Sequence, residues 1–163
     1  MKNFFNFGFK NTKEKATTTP NHRTVSLETA SGQSIRNVLF KDVKFYIDYV
    51  ESGDEDFLIL QSHDGFLQFY GVDNQFVAEL RINYPNSDFK TFSFINPDKE
   101  NALNRVTLVT PFGQYTPTER EIISYTQLCN VVENYYSHSV SEDFVRSVPC
   151  VDTTAETKKY MGL

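Results

Sequence analysis

Four groups of side chains in this sequence could do chemistry, and each calls for a different kind. His63 stands beside Asp64, the pairing of an imidazole base with a carboxylate that could orient it. Glu119 and Glu121 alternate around Arg120 in "PTEREII", where two carboxylates could share acid and base work. Asp54, Glu55 and Asp56 in "GDEDF" could offer oxygens to a hard cation. Cys129 and Cys150 are two thiols that could act as nucleophiles. All four fall short. His63 and Asp64 lie in "SHDG", a predicted hairpin turn that projects into water rather than into a cleft. The glutamates suit a solvated strand edge or helix entry. "GDEDF" lacks the alternating oxygen ligands and the glycine of a calcium loop. The cysteines have no CxxC spacing, and the histidines at 22, 63 and 138 are scattered, so a zinc site is not expected. Neither a GxSxG elbow, an HExxH helix nor a phosphate-binding glycine loop is present. The sequence therefore predicts no catalytic site, no metal and no cofactor.

A different pattern is more informative. From Phe45 to Leu80 the chain carries eight acidic residues and no lysine or arginine, although it has 16 basic residues in all. Such a stretch is either a solvated face or a surface for a basic partner. The net charge of −5 argues against general nucleic-acid binding, which requires clustered cations. Length and composition fit one domain: 163 residues, 39% hydrophobic, with fifteen Phe and nine Tyr supplying much of the apolar volume. No run approaches membrane-spanning length, and the Phe-rich start has no cleavage-site pattern, so a cytoplasmic location is expected.

The elements that must position these groups follow from periodicity. Residues 1–21, rich in Lys, Asn and Thr, read as a flexible arm, and a single domain is expected over 22–151 with a frayed tail at 152–163. "TVSLET" alternates as a short strand. Ile35, Val38, Leu39, Val43, Tyr46, Ile47 and Val50 then fall on one helical stripe, predicting a helix over about 34–51 with Ser34 as N-cap and Gly53 past its end. "DFLILQ" and "GFLQFYG" form a hairpin about Asp64-Gly65, expected as the positive-φ pair of a tight turn. In "QFVAELRINY", Phe76, Ala78, Leu80 and Ile82 share one face while Val77, Glu79 and Arg81 point outward. "FKTFSFI" and "RVTLVTPF" continue the meander. A second helix over about 124–137 is capped by Ser124 with Gln127 and carries Leu128, Val131, Val132, Tyr135 and Tyr136 on its stripe. Cys129 neighbours that stripe as a packed thiol, and "FVRSVPCV" supplies an edge strand. The expected class is α+β, an antiparallel β-meander packed with two amphipathic helices.

This order resembles the immunity protein 1 family of bacterial polymorphic toxin and contact-dependent inhibition systems over roughly residues 22 to 149. Three segments carry the resemblance: the strand-then-helix opening "TVSLETASGQSIRNVLFKDVKFYIDYV", the central "FLILQSHDGFLQFYGVDNQFVAEL", and "TPFGQYTPTEREIISYTQLCNVVENYY". The resemblance implies a cytoplasmic, non-enzymatic protein that binds and neutralises one cognate toxin domain, such as a basic nuclease or deaminase. It further implies that Asp48, Glu51, Asp54, Glu55, Asp56, Asp64 and Asp73 form an electrostatic face, with Tyr70 and Tyr115 as exposed aromatic anchors. Two other readings predict different behaviour. An adaptor would assemble through the Phe-rich arm, and an enzyme would use His63 or the Glu119/Glu121 pair.

Overall fold

The computed structural model describes residues 24–138 and 140–163 of the chain; the arm expected over 1–21 lies outside them. The first strand, β1 (Ser26–Thr29), forms where alternation predicts it, with Leu27 fully buried. The chain then departs from the expected helix start. It turns at Gly32 (φ 87) and returns as a two-residue strand, β2 (Ser34–Ile35), that pairs Leu27 with Ile35. Asn37 adopts a left-handed conformation (φ 55), and α1 (Phe40–Ser52) begins only after Leu39, an N-cap without a side-chain bond. Ser34 is thus a strand residue rather than a cap. Ile35 and Val38 do match helical spacing, but the neighbouring strand gives their backbone a better partner: the Val38 N–H donates to the Val25 carbonyl at 3.0 Å. The helix ends as expected, at Gly53 in the left-handed region (φ 80).

Strands β3 (Phe57–Ser62), β4 (Gly65–Val72), β5 (Gln75–Asn83) and β6 (Phe89–Phe94) form the antiparallel meander. Register sets its faces. Leu60 pairs with Leu67 and Leu67 with Leu80, while Leu58, Phe69 and Ala78 form the next row. Both rows are fully buried beneath α1, which contributes Val43, Ile47 and Val50. Burial of each such Leu, Ile or Phe stabilises the fold by about 1.5–3 kcal/mol. The positive-φ turn pair is not at the first hairpin. His63 and Asp64 connect Ser62 to Gly65 there, and Asp73 (φ 50) with Asn74 (φ 61) is the left-handed pair, joining β4 to β5.

"RVTLVTPF" leaves the meander altogether. It gives β7 (Leu108–Thr110), which pairs only with β8 (Gly113–Tyr115) in a separate hairpin. That hairpin packs on the face of the sheet opposite the helices, against Tyr70, Val77, Phe57 and Val72. Val77, expected to point into water, is therefore buried.

The second helix, α2 (Tyr125–Ser137), starts at Ser124 with both bonds of the expected capping box. Its Leu128, Val131, Val132 and Tyr135 complete the core. Buried Tyr135 keeps its hydroxyl satisfied by donating to the Leu60 carbonyl at 2.9 Å. "FVRSVPCV" divides between a short helix, α3 (Glu142–Arg146), and an edge strand, β9 (Cys150–Asp152), paired to β6. The last dozen residues are ordered as α4 (Thr154–Met161), where the Thr157 and Thr91 hydroxyls meet at 2.9 Å and the Lys158 ammonium reaches Asp88 at 2.6 Å. The sheet order is β2-β1-β3-β4-β5-β6-β9, seven antiparallel strands in an α+β fold.

Candidate functional site

Six of the seven acidic residues singled out by the sequence gather at one end of the molecule. The helix α1 ends there, the loop to β3 begins there, and the β4–β5 turn abuts it. Two hydrogen-bond sets hold this corner. The backbone N–H groups of Asp54 and Glu55 both donate to the Tyr49 carbonyl, at 2.9 and 3.1 Å, and so wind the loop under the helix end. The Asp73 N–H donates to the Glu51 carbonyl at 3.3 Å, which brings the turn alongside. Gly53 fits because its Cα lies against Pro111 of the β7–β8 hairpin; a Cβ there would come within 2.7 Å of the proline Cγ.

The carboxylates at this corner are held by neutral groups. Asp48 accepts from the Tyr125 hydroxyl at 2.6 Å, and Asp54 accepts from the Ser52 hydroxyl at 2.7 Å. Glu55 accepts from the Ser31 N–H at 3.2 Å. Asp56 takes the Tyr115 hydroxyl on both oxygens, at 2.7 and 2.9 Å. Among the described residues no lysine or arginine forms an ion pair with Asp48, Glu51, Asp54, Glu55, Asp56 or Asp73. The last turn of α1 also lacks a basic residue, so Glu51 adds negative charge to the negative end of the helix dipole. Each such placement costs about 0.3–1 kcal/mol before screening.

Asp64 does not belong to this corner. It lies beyond the far end of β3, a six-residue strand that spans roughly 20 Å. There it accepts from the Ser62 hydroxyl at 3.2 Å and the Val140 N–H at 3.3 Å, and it contacts His63 Nδ1 at 2.8 Å. Its work is to close the hairpin onto the chain after α2.

The two expected anchors are not exposed. Tyr70 is 8% exposed and stacks on Tyr115 with centroids 4.2 Å apart. Burial, with Glu79 nearby, raises the Tyr70 hydroxyl far above its ordinary range. Half-buried Tyr115 is raised by desolvation and by its bond to Asp56. Both rings are the footing of the β7–β8 hairpin. The rings that do face solvent at this end are Phe45 (57% exposed) and Tyr49 (38%) on α1, with Phe112 at the tip of the hairpin. Phe45 and Tyr49 are one turn apart and lie off the Val43–Ile47–Val50 stripe, which was the sequence signal for them.

The groups considered for catalysis are each occupied or isolated. His63 is 90% exposed on its turn. Glu119 pairs with Lys99 at 2.9 Å, and Glu121 caps Thr118 through its N–H at 2.7 Å. An open cleft of about 360 Å³ between the β4–β5 turn and Glu119 includes that Lys99–Glu119 pair and Ser124, whose hydroxyl is already the α2 cap. Desolvation raises the Cys129 thiol, and it raises Cys150 to about 11, so both rest protonated near neutral pH. Among the described residues no cluster of three His, Cys, Asp or Glu could hold a metal ion, and no helix is long and apolar enough to cross a membrane. The chain matches no family model, no curated protein and no solved structure.

Proposed function

We propose that this protein is an immunity-type binder that neutralises a cognate toxin domain in the cytoplasm and catalyses no reaction of its own. The observation that carries the reading is the corner of six carboxylates, none of which is ion-paired with a lysine or arginine among the described residues. Charge at the negative end of a helix dipole works against the stability of the helix. A partner that supplies cations would relieve the repulsion, and charge steering would hasten the encounter. A basic toxin cleft evolved to hold phosphates offers such cations. The side chains tied to neutral hydroxyls are already positioned.

The test is capture of the tagged protein from its native host across a salt series, with bound proteins identified by mass spectrometry. The expected result is one dominant basic protein, recovered in stoichiometric amount and released as salt rises. Recovery of no protein when the neighbouring genes are co-expressed would overturn the reading.

A further inference from the structure

The outward face of α1 carries a cluster of aromatic rings, two of which are exposed. Phe45 and Tyr49 meet edge to face with centroids 4.7 Å apart, and Tyr46 joins them at 5.6 Å from Phe45. Phe45 and Tyr49 remain substantially in water, whereas Val43, Ile47 and Val50 are buried and Tyr46 packs partly against the core. Single exposed rings are ordinary on a monomer, but rings packed on one another at the surface form a contiguous apolar patch.

The charges around the patch select its occupant. Asp42 and Asp48 lie three residues before and after Phe45, hence on the same side of the helix. The Asp54 N–H donates to the Tyr49 carbonyl, which holds Asp54 at the end of the helix just past Tyr49. Lys41 stands one turn before Phe45 and Lys44 directly beside it, so cations border the Phe45 end of the patch and the carboxylates of Asp48 and Asp54 border its Tyr49 end. An aromatic face rimmed by carboxylates favours a planar cation that can stack on the ring and hydrogen-bond at its edge. Guanidinium does both, whereas the strongly hydrated lysine ammonium is a point charge without a stacking plane. The same chemistry appears within the fold, where the Arg81 guanidinium lies 3.8 Å from the centroid of the Phe89 ring.

We infer that the Phe45–Tyr49 face of α1 is the anchor of the binding surface and that it holds arginine side chains of a basic protein partner. This rests on the binder reading above and specifies which rings carry it and what they hold.

The experiment titrates the isotope-labelled full chain with hexa-arginine and, at equal ionic strength, with hexa-lysine, following backbone NMR shifts. Hexa-arginine binds at least three-fold more tightly, and its shifts centre on Phe45, Asp48, Tyr49 and Asp54. Phe45→Leu with Tyr49→Leu, which keeps helix propensity and removes only exposed rings, abolishes the preference for arginine and leaves weak charge-driven binding. Equal affinity for the two peptides, or shifts centred on Asp88, Glu142 and Asp143, would overturn the inference. The host-derived partner separates the two levels. A partner held undiminished by the double-leucine variant overturns the anchor and leaves the binder reading intact. An arginine preference at these rings, in a protein that captures no partner, supports the anchor and removes the binder.

Discussion

Asp56 differs from its acidic neighbours because both of its carboxylate oxygens are engaged, and by a group of the β7–β8 hairpin. Both of its oxygens receive the Tyr115 hydroxyl, and the Thr110 hydroxyl lies at 3.5 Å, so it fastens the β7–β8 hairpin to the end of the sheet. Tyr115→Phe should therefore destabilise the protein by about 1–2 kcal/mol, the worth of a hydrogen bond to a charged group at a half-buried site, as read by urea unfolding. Glu51 and Asp54 should behave in the opposite way. Glu51→Gln with Asp54→Asn relieves repulsion at the end of α1 and should leave stability unchanged or raised by about 0.5 kcal/mol. The same pair should weaken partner capture. Glu79 adds a pH dependence. It is largely buried on the face opposite the helices and accepts from the Gln68 amide at 2.9 Å. Desolvation raises its carboxyl above the ordinary glutamate range, the Gln68 bond opposes that, and nearby Glu121 adds to it. A carboxyl raised by folding contributes stability below its unfolded pKa and loses it as pH rises through its folded-state value. Glu79→Gln keeps an acceptor for Gln68, so thermal melts should show the variant gaining on the wild type from acidic toward neutral pH and holding that gain above it.

At the scale of elements, the caps give the clearest expectations. Ser124→Ala removes the side-chain acceptor at the start of α2 and should cost about 1 kcal/mol, lowering Tm by roughly 2–4 °C for a chain of this length. Gly65→Ala should be far more damaging, because a Cβ there would sit 1.9 Å from the Arg81 carbonyl oxygen, a backbone atom that cannot swing aside. These two positions also show what the sequence could reveal. The cap of α2, the glycine after α1 and the paired faces of the meander were legible because each depends on residues close together in the chain. The start of α1 was not. Ile35 and Val38 have helical spacing, yet Ile35 pairs with Leu27 and the Val38 N–H bonds to Val25 across the turn at Gly32, and helical periodicity cannot weigh a competing hairpin partner. The same limit hid the β7–β8 hairpin, which covers Val77 and Tyr70 from outside. Alternation marked one face as outward but could not foresee a second layer. The acidic residues of the corner could be picked out because they lie within one stretch and one adjoining turn, but that they meet depends on how the β4–β5 turn lies against the end of α1, which the sequence does not show. Asp64 was included with them only because sequence proximity ignores the length of β3.

For the whole molecule, the layers separate two tasks. The helices α1 and α2 seal one face of the sheet, and the β7–β8 hairpin and α4 cover parts of the other, so stability is spread through the body of the fold. The acidic corner lies at an end of these layers, and apart from Asp56, which fastens the hairpin, its carboxylates should be open to substitution with little loss of folding. Such an arrangement lets a binding surface vary while the core remains. The most direct measurement of this division is the association rate between the protein and its captured partner as a function of salt, by stopped-flow, for the wild type and for Glu51→Gln/Asp54→Asn/Asp73→Asn. Steering by the corner requires a wild-type rate that falls at least ten-fold between about 20 and 500 mM salt, together with a slower variant rate that depends much less on salt. Equal rates and equal salt slopes for the two proteins would contradict a role for the acidic corner in binding.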